Sequence, residues 1–91
     1  ADEALRMGII NRIVAPEDLE SETMSLAKEI SRKSPYTTQV AKRVVRGAME
    51  LPFSEGVLME RSEFVALFDT EDKEIGVSAF IERSKPEWVG R

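Results

Sequence analysis

Glu60 and Glu63, three positions apart, are the first residues whose type and spacing could do chemistry. On a helix they share a face and could converge on one substrate or one metal ion. Neither a histidine nor a second carboxylate pair completes a metal set, so a solvated helix face explains them better. The run Asp69-Thr70-Glu71-Asp72-Lys73-Glu74 has the acid density of a calcium loop, but Glu74 stands where such a loop needs glycine. Capping of a helix by Thr70 accounts for the run instead. In the segment Ala79-Phe80-Ile81-Glu82-Arg83-Ser84-Lys85, an aromatic ring at Phe80 is followed by two cations, Arg83 and Lys85. A ring and cations so spaced near a helix end can stack a base and pair with phosphates. The plainer alternative makes Phe80 core and the cations partners of the helix dipole.

Composition narrows the chemistry further. The chain has 91 residues, no cysteine and no histidine, which removes disulfides, thiolate metal sites, and any Ser-His or Cys-His dyad. Hydrophobic residues are 42% and charged residues 33%, the balance of a folding chain and not of a disordered tail. No apolar run reaches the ~20 residues of a membrane span and no signal peptide is visible, so no membrane partner and a cytoplasmic location are expected. The basic stretch Pro35–Arg46 could imitate a helix-turn-helix reader. However, the turn before it lacks glycine and the net charge is −4, so no nucleic-acid partner is expected. Five isolated glycines form no phosphate loop, although Gly76, inside a helical pattern, is a candidate for close backbone approach.

The elements that must position these residues are helical. Ala1–Met7 reads as the end of a helix with Gly8 as its left-handed cap, and Ile9–Val14 as one short strand at most. Pro16 opens a helix to about Lys33, with Leu19, Thr23, Leu26, Ala27 and Ile30 on one face. Ser34-Pro35 caps a second helix, striped by Val40, Ala41, Val44, Val45 and Ala48 and broken at Leu51-Pro52. Ser54 can cap a third, whose stripe is Val57, Leu58, Arg61, Phe64, Val65 and Phe68. Thr70 can cap a fourth, with Ile75, Ala79 and Phe80 inward, ending at Lys85-Pro86 before an irregular tail. Met24, Met49, Leu51, Phe53, Met59 and Leu67 lie off or beside these stripes and are candidates for subunit contacts. Between Lys28 and Arg46 six bases face one acid, and between Glu50 and Glu74 eight acids face two bases, which suits solvated faces of antiparallel helices, or a basic segment that meets an anionic ligand or a neighbouring subunit. The chain opens on Ala1 in mid-element, without an initiator methionine, and is expected to be the C-terminal piece of a longer protein.

In register, these segments resemble a known family. Ala4-Leu5-Arg6-Met7-Gly8-Ile9-Ile10-Asn11-Arg12-Ile13-Val14 resembles the "EALRMGLVNRVV" exit from the catalytic domain of the crotonase superfamily, the enoyl-CoA hydratases and isomerases. Lys33-Ser34-Pro35 with Ala41-Lys42-Arg43 is similar to its "KSP…AK" helix, and Glu60-Arg61 with Phe68-Asp69-Thr70-Glu71-Asp72 to its "ER…F.TED" stretch. Gly76, Ala79-Phe80, Arg83 and Lys85-Pro86 match its closing "EG…AF.EKRKP".

The resemblance implies an all-α fold of four to five helices. Residues 1–14 would be the tail end of the catalytic spiral domain, and 15–91 the C-terminal helical, trimerisation domain. The oxyanion hole of such enzymes, two backbone N–H groups that stabilise a thioester enolate, would lie outside this chain. So would the acids that move protons. No catalytic residue is therefore assigned here, no metal, and no cofactor beyond the coenzyme A that the substrate carries. The implied function is a part of an acyl-CoA lyase or isomerase of fatty acid metabolism that is inactive alone and assembles as a trimer or dimer of trimers. Phe80 would lie beside the CoA adenine, and Arg83 and Lys85 near its phosphates, with arginine at 83 replacing the family's more usual lysine. The alternative is a free-standing helical protein-interaction domain without enzyme activity.

Overall fold

The computed structural model describes all 91 residues and is wholly α-helical, with no strand. It forms two compact units, Ala1–Ile30 and Ser31–Arg91.

In the first unit, α1 (Asp2–Arg6) ends in a Schellman motif. The Ile9 amide reaches the Ala4 carbonyl at 2.9 Å and the Gly8 amide the Leu5 carbonyl at 3.1 Å. Gly8 takes the left-handed position this motif requires, at φ 76°. The expected short strand over Ile9–Val14 does not form, and that segment runs as irregular chain. A lone β-branched run has no ladder partner here, and a strand without one leaves its backbone groups unpaired. Pro16 opens a turn of 3₁₀ helix, Pro16–Asp18, before α2 takes over at Leu19–Ser31. The Leu19, Leu26 and Ile30 stripe of α2 is present but exposed, and α2 has no buried residue.

The second unit is built on a hairpin of α3 (Pro35–Glu50) and α4 (Phe53–Leu67). Ser34 caps α3 as expected, its hydroxyl accepting from the Thr37 amide at 3.2 Å. Ser54 does not cap α4: the helix begins at Phe53, with Pro52 in the N-cap position and no side-chain bond there. Proline already fixes the φ that a helix start needs, which makes a hydroxyl cap dispensable.

The helices meet through small residues. Gly47 and Gly56 let the backbones approach, and a methyl at Gly56 would stand 3.7 Å from the Ala48 Cα. Arg43 bridges the seam to Glu63 at 2.9 Å, so one cation of the basic stretch does meet the acidic stretch. The stripe expected for α4 is thereby corrected. Gly56, Met59, Glu63 and Leu67, spaced three, four and four, are its half-buried face, while Val57, Leu58, Phe64 and Val65 stay exposed. Both faces are apolar, and glycine decides which of them packs, because it gives the closer approach. Met59 and Leu67 are therefore not left over.

α5 (Glu71–Glu82) is capped by Thr70, whose hydroxyl accepts from the Lys73 amide at 3.2 Å. It ends earlier than Lys85-Pro86, in a second Schellman motif: Ser84 N–H to Ala79 O at 2.9 Å and Arg83 N–H to Phe80 O at 3.4 Å. Arg83 occupies the left-handed position at φ 55°, which sequence alone does not suggest for arginine. Ala79 lies inward as expected, but Phe80 is 85% exposed and is not core.

Candidate functional site

The C-terminal end of α5 holds the residues singled out for ligand contact. Phe80 projects into solvent from the last turn, and Arg83 is tied to it through the backbone bond of the cap. The backbone thus places positions 80 and 83 within one helical turn of each other. Lys85 is placed differently. It lines a shallow groove of about 440 Å³ along α5 whose wall also carries Glu74, Glu82 and Glu87. Neither Phe80 nor Arg83 lines that groove. Three carboxylates around one ammonium make a poorer phosphate seat than the open guanidinium of Arg83, which offers planar, bidentate donors.

A second concavity of about 470 Å³ lies along the hairpin, between Val40, Val44 and Val45 of α3 and Val57, Phe64 and Leu67 of α4. Glu60 and Glu63 stand at its edge, but Glu63 is engaged by Arg43, whose guanidinium is pushed above its ordinary value by that hydrogen bond and charge. Glu63 is thereby committed to an ion pair with Arg43. No three carboxylates anywhere in the chain come close enough to hold a metal ion.

Asp72 is the residue that sequence reading undervalued. It stands in the first turn of α5, as a capping acid would, yet it is 2% exposed. Its carboxylate accepts from the Ser34 hydroxyl at 2.5 Å, the Val89 amide at 2.8 Å and the Gly90 amide at 3.1 Å. Burial works to raise this carboxyl, but the Ser34 hydroxyl, the two amides and the charge of Arg91 outweigh it and hold it below its ordinary value. A carboxylate held ionised and saturated with donors is a structural acceptor and not a proton shuttle. The acid run Asp69–Glu74 is thus spent on architecture: Thr70 caps, Asp72 accepts, and Lys73 pairs with Glu74 and lies 5.8 Å over the Phe68 ring. Gly76 fulfils its expected close approach, with a methyl there standing 3.1 Å from the Trp88 ring. Trp88 and Gly90 are the signals that could have pointed to Asp72, since a tail bearing a large ring has a surface to cover.

Comparison with known proteins bears on the fold and the family. The signature of the enoyl-CoA hydratase/isomerase family matches residues 1–91. A probable enoyl-CoA hydratase of Mycobacterium tuberculosis is 41% identical over 91 residues, which are 100% of this chain and 35% of that protein. The 2,3-dehydroadipyl-CoA hydratase of Escherichia coli K12 is 35% identical over 92 residues, again 100% of this chain and 36% of that one. Among solved structures, an enoyl-CoA hydratase subunit of Geobacillus kaustophilus superposes with a TM-score of 0.88 at 41% identity, over 100% of this chain and 35% of that one. The enoyl-CoA hydratase of Bacillus anthracis gives 0.93 at 25% identity, with the same coverage of 100% and 35%. The chain spans about a third of the length of the relatives it matches. It belongs to the enoyl-CoA hydratase/isomerase family, the crotonases.

Proposed function

We propose that this chain is the C-terminal helical domain of an enoyl-CoA hydratase or isomerase, serving subunit assembly and one edge of the acyl-CoA site while the reacting groups lie elsewhere in the enzyme. The observation that carries the reading is exposed area. The chain presents 7916 Å² to solvent, whereas two separate compact bodies of 30 and 61 residues would present only about 6,300 Å² between them. The surplus of about 1,600 Å² is twice what one partner buries in a standard protein interface. Much of it is apolar: Leu19 and Ile30 on α2, Val45 on α3, Phe64 and Val65 on α4. Only Val40 and Ala79 form a fully buried apolar core, so most of the chain's apolar surface is left for another body to cover. Surfaces of this kind are completed by another domain or another subunit.

Chemistry points the same way. No buried carboxylate is tuned for proton transfer, and hydration of a thioester needs a fixed pair of oxyanion donors. What the chain offers coenzyme A is the open ring of Phe80 with the guanidinium of Arg83, and Lys85 more distantly. A stacked base contributes ~1–3 kcal/mol and an exposed ion pair at most ~1 kcal/mol. The 91 residues alone should therefore bind CoA no better than sub-millimolar and catalyse nothing. In the whole enzyme, Phe80→Ala should weaken CoA binding about 5- to 100-fold and Arg83→Ala up to about fivefold, with kcat largely retained in both. Calorimetry and steady-state kinetics on the full enzyme test this, and unchanged CoA affinity in both variants would remove the nucleotide role. Sedimentation tests assembly: a clean, stable monomer of the 91-residue chain at high concentration would favour a free-standing domain.

A further inference from the structure

α3 and α4 are the helix pair that packs along its length, and α5 has no comparable seam with either. A three-residue turn, Phe68–Thr70, joins α5 to α4. What ties α5 to α3 is the non-helical segment Ser84–Arg91. We infer that this segment is a strap that sets the orientation of α5 against the hairpin, and that Asp72 is its latch.

Three anchors define the strap. At its end, the Val89 and Gly90 amides donate to the Asp72 carboxylate, which also receives the Ser34 hydroxyl from the start of α3. The Asp72 amide returns a bond to the Arg91 carbonyl at 2.8 Å, so the pairing runs in both directions. One residue back, Trp88 bridges two elements. Its indole N–H donates to the Arg32 carbonyl just ahead of α3 at 2.7 Å, while its six-membered ring lies against Gly76 of α5. Gly90, at φ 79°, lies against the Pro35 ring, where a methyl would stand 3.4 Å from Cγ. Each anchor joins α5 or the strap to the start of α3 or the residues just ahead of it, and the Asp72 carboxylate gathers donors from both the strap and Ser34. An asparagine there keeps the shape but offers one acceptor oxygen and two donors to a site that supplies only donors. Phe80 and Arg83 ride on the far end of α5, so the latch also sets where they stand. That last consequence alone rests on the nucleotide role proposed for them.

The chain contains one tryptophan, Trp88, and no cysteine, so it reports on its own strap and accepts site-specific labels cleanly. In Asp72→Asn, Trp88 emission should shift to the red and acrylamide quenching rise at least twofold. Nitroxides at Gln39→Cys on α3 and Glu82→Cys on α5, both exposed positions, should give a narrow distance distribution that broadens in the variant, while far-UV circular dichroism keeps its helix content. Gly76→Ala presses on the Trp88 ring without touching the carboxylate and should give the same signature, and it decides the matter if Asp72→Asn loses helix. Wild-type emission and distances in Gly76→Ala and in a folded Asp72→Asn would overturn the inference. So would a distance that stays narrow after Trp88 has come free. No readout involves coenzyme A, so the strap can fail while the nucleotide role stands, and the reverse.

Discussion

A carboxylate taken out of water usually resists ionisation, because desolvation penalises the charged form. At Asp72 that penalty is outweighed by the Ser34 hydroxyl, the Val89 and Gly90 amides and the Arg91 charge. The folded-state value lies below the ordinary 3.8, so the stabilisation is complete above the unfolded value and is lost as pH falls through the folded one. Trp88 emission should therefore stay constant from neutral pH down past the usual aspartate range and change only in stronger acid. A transition between pH 5 and 7 would contradict the donor set seen here. Two helical glycines make a paired prediction at the same scale. Alanine at Gly56 meets only ordinary contact distance, so its higher helix propensity should stabilise by about 0.5–1 kcal/mol. Alanine at Gly76 gains the same propensity but pushes on an indole fixed by a 2.7 Å hydrogen bond. Thermal melts should show Gly56→Ala rising and Gly76→Ala falling.

The helix starts show how local chemistry and tertiary structure divide the labour. Thr70 caps α5 and does nothing beyond its own turn and the Leu67 carbonyl. Thr70→Ala should cost about 1 kcal/mol. Ser34 caps α3 and also donates to Asp72, so Ser34→Ala should cost more than Thr70→Ala, because it leaves a buried carboxylate short of a donor. Urea melts of the two variants check the order. Both caps could be read from sequence, as could Gly8 and the full extent of α3, because each depends on residues within one turn. The packed face of α4 could not. Periodicity finds apolar stripes, but α4 carries two, and the choice falls to Gly47 and Gly56, which find Met59 and Ala48 only once the hairpin has closed. Arg83 hid the end of α5 for a related reason: the motif wants a left-handed residue, and nothing local marks arginine as one. At the candidate site the one-turn spacing of positions 80 and 83 was readable. Lys85's acidic groove and the burial of Asp72 were not, because both depend on where the strap returns.

For the whole molecule, the governing quantity is how little apolar surface the chain hides from water by itself. The apolar faces of α2 and of the outer side of α4 give it reason to associate, and that association should strengthen with kosmotropic salt, as burial-driven contacts do. The same feature has a consequence for unfolding. The slope of stability against urea, and the heat-capacity step on melting, both scale with the surface newly exposed when a chain unfolds. A chain that already exposes about 1,600 Å² more than compact bodies of its size has that much less left to reveal. Its urea slope as a dilute monomer should therefore be about a fifth lower than that of compact bodies of the same length. On assembly the slope should steepen, because the associated state hides what the lone chain leaves wet, and denaturation at rising protein concentration would follow the change.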